Sequence, residues 1–514
     1  MTATTASPTV RTAEGLVSGR WEDAVAAFRG IPYAQPPVGS HRWAPPERFE
    51  PWAGARPAHV AGPIPPQHPA RLQAAMGPMR APAVGEDCLN LNVWTPAPGR
   101  DDALPVLVFL HGGGYLAGAG SAEWYDGALM ARRGPAVVVT INYRLGALGY
   151  LYLPPELTGG DPIANLGLQD QRLALEWVGS NIHAFGGDPT RITVVGQSGG
   201  GHSIVGLQGA SGAMGLFKRA VLQSAPLGMR AASAAAAERS TRIFLEELGC
   251  QDATLEELRA LPVTRILDAQ RATLGRTATL GRLDPPFHLT VDNVVLTEDP
   301  IERAAEYLRG LDVLLGFTTD EASAFFAFDD GLWQLPGDVL VDRVRLGAGE
   351  RTAARLERYV AHTEDRPAAR ALVDLVGDDF MIAPTVELAE RLGTGGRSVH
   401  LYRMGWASEA LDGRLGACHT IELPFVFNTF PAWSQAPMLG GAKPDELHVL
   451  GRQVQDAWLA FAANGHPQHD GLPHWKACTS DAVSALHFDA QLRVLDDPSD
   501  GRRELWQQVG APSV

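Results

Sequence analysis

Apolar positions along this chain fall into short, dense runs: LNLNVWTP (89–96), LPVLVFLHGGG (104–114) and AVVVTINYRLG (136–146), each bounded by Pro or Gly. Runs of this length and composition predict buried strands. The pattern then changes period. In LGLQDQRLALEWVGSNI the apolar side chains fall at 166, 168, 173, 175, 177 and 178, which predicts a helix, and the short run ITVV (192–195) returns to a strand. Further strands are expected at 219–225, 312–322 and 399–406, separated by helical stretches at 231–273, 300–309 and 338–393. This alternation predicts an α/β fold with a large, mostly parallel, doubly wound central sheet flanked by helices and carrying helical insertions around its functional end. Upstream, residues 10–34 read as a hairpin with turns near Gly15 and Glu22-Asp23. Residues 35–87 are rich in Pro and Gly without sustained period, a surface excursion of the kind that borders an active site.

Composition narrows the class. With 45% hydrophobic and 20% charged residues the chain reads as soluble and globular, and no apolar run is long enough to span a bilayer. A net charge of −15 with no Lys/Arg-rich block argues against nucleic acid and anionic membranes as partners. Cys88, Cys250, Cys418 and Cys478 are widely spaced and form no Cys-x-x-Cys pair, so free thiols are expected rather than a zinc site or a disulfide framework. The start, MTATTASPTVRTAEG, lacks a basic segment followed by an apolar core, and a cytoplasmic protein is expected. No internal repeat or low-complexity linker divides the chain, so a single domain is expected over 8–506, with tails at 1–7 and 507–514.

The chemistry concentrates at strand ends. In ITVVGQSGGG, Ser198 sits in Gly-x-Ser-x-Gly between a strand and a helix, where Gly196 and Gly200 let the backbones close while the serine Oγ projects outward. A serine needs a base and a group to orient that base. His419, in GACHTIELPFVF after the last large strand, stands in the chain order Ser, acid, His. The acid is sought in TTDEAS, at the carboxyl end of the strand beginning at 312, where Asp320 and Glu321 compete on chemistry alone. HGGGY (111–115), directly after a buried strand, supplies unobstructed backbone N–H groups; Gly113 and Gly114, with Gly199, make a three-donor oxyanion hole.

These motifs, with FRGIPYAQPPVGSHRW, EDCLNLNVW, INYRLGALGYL and FGGDPTRITVVGQSGGG in the same order, resemble the type-B carboxylesterases, the cholinesterase-like branch of the α/β-hydrolases. The resemblance runs from about residue 8 to 506 and is nearest to the bacterial p-nitrobenzyl esterase and phenmedipham hydrolase group. It implies Ser198 as nucleophile, Glu321 rather than Asp320 as acid, His419 as base, and Gly113, Gly114 and Gly199 as the oxyanion hole. It also implies structural ion pairs for Arg42 with Glu86 and Arg144 with Asp170, a place near the histidine for Ser224, and pocket-lining places for Phe287, Phe325 and Phe326. Two departures stand beside the nucleophile: Gln197 replaces the family's usual Glu, and Gly199 its usual Ala. Ala322 follows Glu321 where Gly is usual. No tryptophan before Glu86 matches the choline-binding one of cholinesterases, and no upstream cysteine could pair with Cys88.

The expectation is therefore a monomeric serine hydrolase needing no cofactor or metal, which cleaves small neutral, apolar or aromatic carboxylic esters through an acyl-enzyme. Carbamate or amide hydrolysis on the same residues is the rival within catalysis, and a non-catalytic binding protein of the same fold is the rival outside it.

Overall fold

The computed structural model describes residues 6–80, 82–363 and 366–507. Most of the two expected tails, residues 1–5 and 508–514, lies outside them. An eleven-stranded sheet organises the molecule. In chain order its strands are β1 (Arg20–Glu22), β2 (Val25–Pro32), β3 (Asn90–Thr95), β4 (Leu104–Leu110), β5 (Val137–Ile141), β6 (Gly187–Gln197), β7 (Arg219–Gln223), β8 (Asp312–Thr318), β9 (Val399–Met404), β10 (Ala485–Phe488) and β11 (Arg493–Leu495). In space they run β11-β10-β9-β8-β7-β6-β4-β5-β3-β2-β1. The pairs from β5 through β10 are parallel, and the outer pairs are antiparallel.

The central strands are apolar at nearly every position because helices cover both faces and leave no wet side. All of β5 and all of β9 are buried. The strand pattern locates β3 to β9 to within a few residues, apart from the start of β6, while β10 and β11 lie beyond the strands read from it. Strand β6 begins at Gly187, ahead of the apolar run, because Gly187 pairs with Leu104 and a register shift admits the turn-like segment that follows. The 10–34 region forms two hairpins, the first between short strands at Thr9–Arg11 and Leu16–Ser18, the second between β1 and β2. The excursion at 35–87 is irregular apart from brief elements at Gly39–His41, Ala55–Pro57 and Gln73–Met76. Predicted helices appear at Leu166–Asn181 (α1) and within the insertion at Ala234–Leu248 and Val263–Thr277. A 21-residue helix, Pro444–Asn464, lies beyond the elements read from the pattern.

The strand order fixes where a ligand can sit. The chain leaves β4 to form β5 on one side and later returns to lay β6 on the other, so β4 and β6 flank a switch point whose carboxyl-end crevice is open. Leu110, the last residue of β4, is in register with Gly196 of β6. The Gly-rich loop and the serine turn thus emerge side by side.

Two ion pairs brace the surroundings. Arg144 and Asp170 are buried and joined at 2.7 Å and 2.8 Å, and Arg42 bonds Glu86 at 2.6 Å while its other nitrogen reaches the carbonyls of Arg259 and Leu261. The second pair ties the irregular excursion to the helical insertion. All four cysteines are free. Among the described residues no helix is long and apolar enough to cross a membrane, and no group of three or more His, Cys, Asp or Glu is placed to hold a metal ion.

Candidate active site

Ser198 stands between β6 and the helix α2 (Gly199–Gly209) with φ 54° and ψ −124°. A non-glycine residue there carries a strain of about 1–3 kcal/mol, which the surroundings must hold. They do so through the Ser198 N–H, which donates to the Gln223 carbonyl at 2.8 Å, and the Ser198 carbonyl, which accepts from the His202 N–H at 3.0 Å. The flanking glycines are required by contact: a Cβ on Gly196 would lie 2.4 Å from the Gly200 carbonyl carbon, and one on Gly200 would lie 2.1 Å from the Leu110 oxygen.

The Gly-rich loop after β4 turns through left-handed conformations at Gly113 (φ 119°), Gly114 (φ 59°) and Tyr115 (φ 64°). It runs against the start of α2: a Cβ on Gly199 would lie 3.5 Å from the nitrogens of both Gly114 and Tyr115. Tyr115 is the costly member, since its side chain disfavours a positive φ. Its carbonyl accepts from the Gly146 N–H at 2.7 Å, and its hydroxyl meets His202 Nδ1 at 2.6 Å. The other ring nitrogen of His202 lies 2.8 Å from the Met229 carbonyl, which can only accept, so Nε2 carries the proton and Nδ1 accepts from Tyr115. Burial lowers the His202 pKa to about 3 and keeps the ring neutral. His202 therefore ties the Gly-rich loop to the first turn of the helix that follows Ser198. Its sequence signal is its place four residues after Ser198, a helical step that puts it above the serine.

Glu321 and His419 come from two loops. Glu321 follows β8, and its Oε1 accepts from the Thr318 N–H at 2.8 Å while Oε2 meets His419 Nδ1 at 2.5 Å, with both side chains wholly buried. Asp320 faces elsewhere: it accepts from Arg370 and from the Ala417 N–H, and forms a parallel bridge with Cys418. Of the two carboxylates, Glu321 contacts the imidazole, while Asp320 bonds the loop that carries His419. At the far side of the imidazole, Nε2 lies 3.2 Å from Gln197 Nε2. With the Nδ1 proton directed at Glu321, Nε2 is bare and accepts from the Gln197 amide. Ser198 Oγ makes no hydrogen bond to His419 here; the elbow brings Gln197, its immediate neighbour, to that nitrogen. Such contacts are often long or absent without substrate and tighten when it binds.

A second carboxylate lies close by. Glu422 is buried, accepts one long bond from Ser224 Oγ at 3.4 Å, and leaves Oε2 without a partner. Burial first, and the nearby Glu321 second, push its pKa up to about 7, with His419 opposing. Sequence reading missed its importance, although it lies three residues past His419. Of the aromatic positions, Phe325 lies 5.7 Å from the His419 ring, whereas Phe287 is fully buried and packs edge-on against Phe244 at 5.7 Å. Phe326 is buried and its carbonyl accepts from Trp333 Nε1.

Comparison with known proteins matches this architecture. The model of the Carboxylesterase family covers residues 6–506. Phenmedipham hydrolase of Pseudarthrobacter oxydans is 36% identical over 93% of this chain and 94% of its own. Para-nitrobenzyl esterase of Bacillus subtilis is 33% identical over 98% of this chain and 99% of its own. Among solved structures, carboxylesterase Est55 of Geobacillus stearothermophilus superposes with a TM-score of 0.84 at 34% identity, covering 97% of this chain and all of that one. The chain belongs to the carboxylesterase family, on the α/β-hydrolase fold, and is a carboxylic ester hydrolase.

Proposed function

We propose that Ser198, His419 and Glu321 form the catalytic triad of this hydrolase, and that the N–H groups of Gly113, Gly114 and Gly199 form its oxyanion hole. His419 Nε2 accepts the Ser198 proton as Oγ bonds to the ester carbonyl carbon. The carbonyl oxygen takes the displaced electron pair as an oxyanion beside the three N–H groups, and Glu321 stabilises the imidazolium. Collapse of that intermediate expels the alkoxide, which receives the proton from His419, and leaves an acyl-enzyme. Water then repeats the sequence and releases the acid. The observation that carries this reading is the buried 2.5 Å Glu321–His419 pair whose other ring nitrogen faces the serine elbow.

The preferred substrates are small neutral, apolar or aromatic esters. Support comes from the neutral amide at Gln197 and the Phe325 ring beside His419. A matched series of ester, carbamate and anilide with one acyl group tests the bond specificity: the ester is expected to turn over fastest, with a burst of alcohol from acylation, and a faster anilide or carbamate would replace the reading. Faster cleavage of choline esters than of phenyl esters would overturn the preference for uncharged substrates over cationic ones. Residues 8–506 act as one folding unit, supported by the eleven-stranded sheet whose strands are drawn from Arg20 to Leu495, and a single unfolding transition is expected. A monomer working in the cytoplasm completes the reading, to be checked by light scattering and cell fractionation.

A further inference from the structure

Arg71 lies in the irregular excursion, two residues ahead of the short helix Gln73–Met76. Its guanidinium carbon sits 5.1 Å from the centroid of the Phe325 ring, and that ring lies 5.7 Å from the His419 imidazole. One aromatic ring thus separates a permanent positive charge from the base. Three other arginines that stack on rings are ion-paired: Arg29 over Trp94 with Glu22 and Asp126, Arg303 over Tyr307 with Glu298, and Arg414 over Trp333 with Asp330. Arg56 has no such pair among the described residues, but its rings, Phe49 and Trp52, pack edge-on against each other rather than on His419. Among the described residues Arg71 has no carboxylate at ion-pair distance. Partial desolvation lowers its pKa and no acidic group opposes that shift, while the residue stays open to solvent.

A planar guanidinium presents its donors in a fork that matches a carboxylate, and an apolar wall beside it strengthens the attraction. A chain of net charge −15 repels anions on average, so a cation without a carboxylate partner, one ring away from His419, marks where one is admitted. We propose that Arg71 is an anion subsite of the active site, which takes a carboxylate at the far end of the acyl part of the ester, with Phe325 packing along the intervening methylenes. The subsite adds half-esters of dicarboxylic acids to the substrates taken. This goes beyond the neutral esters of the preceding section and rests on that section's triad.

The test compares mono-4-nitrophenyl adipate with 4-nitrophenyl heptanoate, an acyl chain of similar length without the charge, as a ratio of kcat/KM on the intact enzyme. Arg71→Met is expected to lower the adipate-to-heptanoate ratio about tenfold, Arg71→Glu to lower it further, and Arg71→Lys to retain part of it. Raising NaCl from 0.05 to 0.5 M is expected to compress the wild-type ratio and leave that of Arg71→Met little changed. Ratios in Arg71→Met and Arg71→Glu within about twofold of wild type would overturn the subsite. Wild-type cleavage of both esters by Ser198→Ala would instead overturn the triad on which it rests.

Discussion

The Ser198 side of the site and its His419 side are built in opposite ways. Around Ser198 everything is local: one strand, one turn and one helix within about 20 residues, closed by glycines whose missing side chains let three backbones meet. Around His419 everything is assembled at a distance: Glu321 arrives 98 residues earlier, and Asp320 pins the histidine loop through the Ala417 N–H. A local turn stores strain in its own backbone, whereas a distant assembly stores its precision in side-chain bonds. The first tolerates few substitutions at the glycines; the second is vulnerable at each carboxylate.

The largest effect is expected from removing the chemistry on either side. Ser198→Ala should lower kcat by about 10⁶-fold, and Glu321→Gln by about 10⁴-fold, because the amide presents the wrong partner to Nδ1 and frees the imidazole tautomer. Steady-state kinetics on 4-nitrophenyl acetate checks both, and equal, small losses would erase the distinction between a nucleophile and its orienting acid.

A smaller effect is expected where the Gly-rich loop is tied to the helix. Tyr115→Phe and His202→Leu should each lower kcat about tenfold with little change in KM, because the oxyanion donors shift while ground-state binding persists. His202→Asn, whose Oδ1 can replace Nδ1 as acceptor, should recover much of the loss. Affinity for a trifluoromethyl ketone that mimics the tetrahedral intermediate should fall in parallel with kcat/KM; unchanged affinity would make the Tyr115–His202 bond merely structural. The neutral His202 also carries a pH signature. Its depressed pKa contributes stability that is present above the usual 6.5 and lost as pH falls toward about 3, and His202→Asn should flatten that part of the acid-unfolding curve.

The smallest effect concerns Glu422, which sharpens the contrast between two buried carboxylates beside one histidine. Its raised pKa means that folding favours the protonated acid: the contribution is complete below about 4.5 and is lost as pH rises through about 7. Glu422→Gln should therefore raise the melting temperature relative to wild type most at pH 8 and least at pH 4.5, and should remove one ionisation near neutrality from the pH profile of kcat/KM. Identical pH dependence of wild type and variant would show that Glu422 does not titrate in this range.

The same contrast explains what was legible in the sequence. The elbow could be read because strand, Gly-x-Ser-x-Gly and helix are contiguous, and buried parallel strands announce themselves as unbroken apolar runs. His419 and Glu321 were reachable only through chain order and resemblance, since nothing local in TTDEAS distinguishes Glu321 from Asp320; their different partners, His419 for one and Arg370 for the other, are long-range facts. Phe287 and Phe325 read alike in sequence, yet one packs on Phe244 and the other lies beside the histidine. Glu422, the Tyr115–His202 bond and the unpaired Arg71 stayed hidden for the same reason: their character comes from what surrounds them.

Whether Ser198 is the nucleophile activated by His419 is decided by labelling the folded protein with a fluorophosphonate and mapping the adduct by peptide mass spectrometry. One adduct per chain on Ser198 is expected, lost in Ser198→Ala and formed far more slowly in His419→Ala. An adduct on any other serine, or undiminished labelling of Ser198→Ala, would contradict the account.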